Sequence, residues 1–211
     1  MKNKLIILLT VLIMAVLAGC GMSEEDAKAY VQASLDAAYK GEFEAFVEIT
    51  DSTSEGAKVM YEENIEHTME AAGFNDLNLS DELNMKYEQL FLNLAKAADY
   101  TVGEAIKVEN DDFSVEVFVR PLNIFDGIDE EVTEALIERI NKLEEHPDDK
   151  AIIEMSFEEM HRILSERIEN PVYSEDQVLV SLYVYKNDEG MYAISEDDML
   201  MLDNVFFTIS E

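Results

Sequence analysis

YTVGEAIKVENDDFSVEVFVR, residues 100–120, decides the fold class of this chain. Tyr100, Val102, Ile106 and Val108 alternate with small or polar residues, and Phe113, Val115, Val117 and Val119 alternate again up to Pro121. A period of two puts one face of each segment in a core and the other outside it. Asn110-Asp111-Asp112 between them supplies a turn, so the stretch reads as a β-hairpin. A second hairpin is expected from Val178 to Tyr185 and Met191 to Ile194, around Asn187-Asp188-Glu189-Gly190.

Outside the hairpins the period is helical. Ser23-Glu24-Glu25-Asp26 has the form of a capping box, and Ala27, Tyr30, Val31, Leu35 and Ala38 share one face up to Lys40-Gly41. A short helix over Glu42 to Ile49 offers Phe43, Phe46 and Val47. Ser54 is positioned to cap a third, with Ala57, Met60, Tyr61, Ile65, Met69 and Ala72 inward until Gly73. Ser80 opens the clearest amphipathic helix, with Leu83, Tyr87, Leu90, Phe91, Leu94 and Ala98 on one stripe. Ile128, Val132, Leu136, Ile140 and Leu143 predict another, ending before Pro147. Ser156 with Glu159 reads as the capping box of the next, which carries Phe157, Met160, Ile163, Leu164 and Ile168 to Asn170-Pro171. Ser195 can cap a last helix containing Met199, Leu202 and Phe206. Helices precede each of two hairpins, so the class is α+β: a roughly four-stranded antiparallel sheet with about seven helices on one face. The repeated order hints at a duplicated unit, without a residue-level match to support it.

The chain begins with a different signal. Lys2 and Lys4 precede a run from Leu5 to Ala18 whose one polar member is Thr10, and Leu17-Ala18-Gly19-Cys20 closes it. A basic start, a short apolar span and small residues mark a secretory signal. Fourteen helical residues would rise only about 21 Å, short of a bilayer core of roughly 30 Å. Cys20, the one cysteine of the sequence, resembles the lipidated cysteine of a bacterial lipobox. That resemblance implies cleavage before Cys20, acyl chains on it, and a protein anchored at the outer face of a membrane. The expected division is a signal peptide over 1–19, a lipidated tether over 20–23 and one acidic domain over 24–211.

Without 1–19, 47 acidic residues face 13 lysines and arginines, a side-chain charge of −34 against −32 for the whole chain. Such a charge excludes a nucleic-acid partner, which needs a basic stripe, and favours solubility. No disulfide is available, so the core must carry the fold.

Tyr39-Lys40-Gly41-Glu42-Phe43, following a lipobox and a helix, is similar to an uncharacterised family of surface lipoproteins from Gram-positive bacteria. Leu79-Ser80-Asp81-Glu82-Leu83, Tyr100-Thr101-Val102-Gly103-Glu104-Ala105 and Val119-Arg120-Pro121-Leu122-Asn123-Ile124-Phe125 carry the same likeness. The early helices feeding a sheet also resemble cystatin-like and nuclear-transport-factor-2-like cone folds, some of which hold a pocket. No activity comes with either resemblance.

Chemistry-bearing motifs are sparse. Glu158 and His161 have the helical spacing of a metal pair, but His67 has Asn64 at the matching position, and His146 precedes Pro147. An EF-hand register on Gly190 puts Tyr185 where a carboxylate is needed, although Glu196 fits the last position. No nucleophile elbow, Ser-x-x-Lys or glycine-rich phosphate loop occurs. No catalytic residue, metal ligand or cofactor is therefore assigned, and Cys20 stands as the one site residue. The methionines read as core filling; Phe118 and Tyr183 could line a pocket, with the core as their expected place. The function expected is a non-enzymatic binding module at the cell envelope, its partner an envelope protein or cell-wall ligand. The alternatives are an enzyme with an Asp/Glu pair in a cone-fold pocket, or a solute-binding lipoprotein, for which alternating βαβ units are missing.

Overall fold

In the computed structural model, which describes residues 14–15, 21–188 and 190–207, the stretch quoted above forms strands β2 (Asp99–Lys107) and β3 (Phe113–Arg120). The second hairpin is β4 (Val178–Lys186) and β5 (Tyr192–Ile194). All pairings are antiparallel in the order β5-β4-β3-β2, and a two-residue strand β1 (Met14–Ala15) adds to the outer edge of β5. Seven α-helices among the described residues complete an α+β fold.

Helices cover one face of the sheet. The helix α1 (Glu24–Leu35) lies on β2 and β3, and α7 (Glu196–Phe206) lies on β4 and β3. The inward phase, Phe113, Val115, Val117, Val119, Leu182 and Val184, is wholly buried. Ser23 and Asp26 form the expected capping box on α1. Its last turn widens into a π-helical turn, Asp36–Lys40, and Gly41 stops it in the left-handed region at φ 67°. The wider turn buries three successive residues, Ala37, Ala38 and Tyr39, because packing surrounds this end of the helix on every side.

Tyr39 donates a 2.5 Å hydrogen bond to Asp203 of α7, and Tyr100 of β2 donates one of 2.7 Å to Asp36. Burial and the neighbouring Asp203 carboxylate raise the Tyr39 phenol well above its ordinary range, so it stays a donor. Lys40 donates to the carbonyls of Lys96 and Ala98 at the end of α4 (Asp81–Lys96), where a cation suits the helix dipole. Around this hub pack α2 (Glu44–Thr50), α3 (Ser54–Ala71) and α4. The connection from β3 to β4 is a helical hairpin, α5 (Ile128–Asn141) and α6 (Asp149–Glu169), with α6 against α4. Its two ends are closed by hydrogen bonds from Asn123 to Val172 and from Ser174 to Pro121.

Several sequence expectations need correction. Thr53, not Ser54, caps α3, its hydroxyl accepting from the Gly56 N–H. Ser156 and Glu159 lie inside α6, whose cap is Asp148, eight residues before Ser156; Glu159 is engaged by arginines instead. Ile106 is 57% exposed. A β-bulge shifts the register between Val102 and Ala105, so Ala105 turns inward and Ile106 outward. Met60 sits at the margin of its stripe and is exposed, and Leu143 lies beyond the end of α5 at Asn141 and is exposed too.

The one-sided sheet predicts opposite costs for two leucines of β4. Leu182→Ala should lose about 2–5 kcal/mol in urea unfolding. Leu179→Ala, at 51% exposure, should stay within about 0.5 kcal/mol of wild type. Similar losses at both positions would show that the outer face is covered.

Candidate functional site: the open face of the sheet

Alternation that buries the valine phase of β3 turns Ser114, Glu116, Phe118 and Arg120 to the other side. Register brings Leu179 beside Phe118, Ser181 beside Glu116 and Tyr183 beside Ser114. On β2 the bulge adds Ile106 opposite Ser114. The result is a face with Ile106, Leu179 and Tyr183 exposed and Phe118 and Tyr185 half-buried.

Two features make this surface rigid. Phe118 lies directly over Gly103 in the bulge, where a Cβ would come within 2.8 Å of the Phe118 ring and 3.0 Å of Glu116 Cβ. Only glycine permits that approach. Tyr183 donates its hydroxyl to Asp112, which also accepts from the Lys186 backbone N–H at 3.1 Å. The carboxylate raises the phenol above its usual range, and the ring stacks 14° from parallel with Tyr185. Arg120 closes one rim, paired with Asp99 and lying 5.1 Å over the Tyr173 ring.

Phe118 and Tyr183 were expected in the core; Tyr183 is 41% exposed and Phe118 half-buried on the outer face. The signal lay in phase: both stand opposite the wholly buried set, Phe118 among the polar residues of β3.

A concavity runs between α4 and α6, an open groove of about 440 Å³ walled by Leu83, Lys86, Glu158, His161, Arg162 and Glu166. Most of its charged side chains are already paired. Arg139 binds Glu158 at 2.5 Å and Glu159 at 3.2 Å, and Arg162 binds Glu159 at 2.9 Å and Glu166 at 3.0 Å. The Glu158–His161 pair thus has its carboxylate turned to an arginine. Among the described residues no three His, Cys, Asp or Glu side chains are placed to hold a metal ion. His67 pairs with Glu70 at 3.8 Å on the surface, and His146 is exposed. The shifted carboxylates, Asp26, Glu82, Asp111 and Glu159, all move down, each held charged by a hydroxyl or cation.

Cys20 and residues 1–13 and 16–19 lie outside the described residues. Among the described residues no helix is long and apolar enough to cross a membrane.

No family profile matches the sequence, and no curated protein does. In fold it is similar to the crystal structure of the candidate lipoprotein ycdA from Bacillus subtilis, with a TM-score of 0.64 at 14% identity. The match covers 87% of this chain and 56% of that one, so the chain spans little more than half of its neighbour's length. Identity this low shows a shared fold and nothing more.

His161 supplies a pH test of the groove. Burial, added to by the Lys86 charge, lowers its pKa below 6.5, with a hydrogen bond to the Lys86 backbone partly offsetting them. The unfolded chain then takes up the proton more readily than the folded one, so stability is present above pH 6.5 and falls as the pH drops through the folded value. Between pH 7.5 and 5.5 the urea midpoint of wild type should fall more than that of His161→Gln. Equal slopes would mean that the imidazole is not desolvated.

Proposed function

We propose that the protein is a lipid-anchored, non-enzymatic binding module at the outer face of a Gram-positive cell membrane, its acyl chains on Cys20 and an envelope protein on the open sheet face. The observation that carries the binding role is the rigid apolar-aromatic surface of Ile106, Phe118, Leu179 and Tyr183, left uncovered in a chain with so many charged residues to spend on solubility. Exposed apolar surface of this kind marks interaction sites. Exposed aromatic and aliphatic side chains of this kind are enriched where macromolecular surfaces meet, so a macromolecular partner fits this face. Glu116 near its centre favours a partner that sets one cation among apolar side chains.

Support for the anchor comes from the sequence Leu17-Ala18-Gly19-Cys20 behind its apolar run, and from the fold shared with a candidate lipoprotein. Cleavage before Cys20 would take Met14–Ala15 off the edge of β5 and leave β2 to β5 as the mature sheet.

Both halves can be tested in one strain. Cys20→Ser should abolish acyl labelling and release the protein from the membrane fraction; retention without label would end the lipid reading. A photo-crosslinking residue at Leu179 should give a discrete protein adduct on intact cells, and the same residue at Lys142, on the far helical side, should not. Equal yields, or none at Leu179, would remove the open face as the binding surface.

A further inference from the structure

Lipidation at Cys20, on which this inference rests, would fix not only where the domain is but which end of it meets the lipid. Met22 is buried at 5% exposure within the main core, and its N–H points to the Tyr192 hydroxyl at 3.4 Å. The tether read from the sequence as running to Ser23 therefore ends two residues after the cysteine, with Gly21 alone free. Two Cα steps of 3.8 Å allow about 8 Å between the Cys20 and Met22 Cα atoms.

Met22 enters at one end of the sheet. Tyr192 opens β5 there, and Tyr30 of α1 donates to the Tyr192 carbonyl at 3.1 Å. The N-terminus of α1 reaches the same end, where Glu24 accepts from the Lys107 N–H at 3.0 Å. Both hairpin turns lie there too, because Phe113 at the start of β3 pairs with Val184 near the end of β4, and Asp112 accepts from the Lys186 N–H. The opposite end, with Arg120, Val172 and Val178, is one strand length away, roughly 25 Å for the eight residues of β3.

We propose that this end, formed by the 109–111 turn, by Asn187, Asp188 and Gly190 and by the start of α1, is the surface that faces the phospholipid headgroups, with the strands upright on the membrane. The open sheet face then stands sideways, accessible to a neighbour anchored in the same membrane. Charge does not impose this orientation. Glu24, Glu25, Glu109, Asp111 and Asp188 outnumber Lys107 and Lys186 at this end, and they are repelled by an anionic leaflet. The short tether imposes it by leaving no chain with which to turn the domain over.

The chain has no tryptophan, so single reporters can be placed by Glu109→Trp, Asp188→Trp and Val172→Trp. Full-length lipidated protein is reconstituted into phosphatidylcholine–phosphatidylglycerol vesicles carrying a headgroup spin label, and fluorescence quenching is read alongside flotation. Quenching should be severalfold stronger at 109 and 188 than at 172. A ten-residue Gly/Ser insertion after Gly21 should keep flotation and erase that contrast. Protein that floats with equal or reversed quenching overturns the orientation while leaving the anchor intact. A contrast that survives the insertion also overturns it, since adsorption rather than the tether would be responsible. Protein that does not float at all overturns the lipid reading itself.

Discussion

The buried hydrogen bond from Tyr39 to Asp203 is the contact on which the arrangement of layers depends. It joins the first helix to the last, elements 164 residues apart in sequence, and both lie on the same face of the sheet. A carboxylate that is 2% exposed is tolerated in a core only when hydrogen-bonded, and the phenol of Tyr39 reaches it because the π turn carries that side chain toward α7. The aromatic rings reinforce the tie: Tyr39 meets Phe206 edge-on at 4.8 Å, and Tyr100 lies 6.1 Å away. With the turn that ends α1 tied to α7, α1 covers β2 and β3 and α7 covers β3 and β4 on the same face. The other helices pack onto α1, α4 and one another rather than around the sheet, and its second face is left open.

Electrostatics contributes little to holding this together. Most ion pairs among the described residues lie on the surface, several of them i,i+4 pairs on helices such as Lys58–Glu62 and Lys86–Glu82, each worth a few tenths of a kcal/mol. Cations with a structural task are placed on carbonyls instead. Lys40 closes the end of α4, and Arg167 donates to the carbonyls of Ile124 and Asp126 after β3. With 47 acids against 15 lysines and arginines, self-repulsion opposes compaction, and the apolar core offsets it.

Much of the fold was legible because its strongest patterns are local. The valine phase of β3, the Ser23 capping box and the Gly41 stop each depend on residues within a few positions of one another, and each is found where periodicity placed it. Failures occur where the deciding contact is distant or two local signals compete. Ser156 and Glu159 satisfy a capping-box spacing, yet Asp148 offers an equally good cap earlier, and residues between them prolong the helix. Ile106 fits the alternation of β2 until the bulge between Val102 and Ala105 reverses it, and the glycine within that bulge makes room for Phe118 on the neighbouring strand. The open face was half legible. Phase assigns Phe118 and Tyr183 to one side of the sheet, but nothing local in sequence says that helices will leave that side bare.

The segments singled out in the sequence acquire a physical meaning that bears on function. In Tyr39-Lys40-Gly41, the phenol ties α7, the ammonium closes α4 and the glycine ends the π turn. In Tyr100-Thr101-Val102-Gly103, the first residue holds Asp36 and the last makes room for Phe118. In the segment after β3, Leu122 and Ile124 are each 1% exposed and anchor the crossover to α5. These residues build the scaffold, and a scaffold can be kept whatever is bound to it. A binding preference has to be written on positions that the scaffold leaves free. The outer phase of β3 and β4 meets that condition, because Ser114, Leu179 and Ser181 can change without disturbing a single contact of the Tyr39–Asp203 hub.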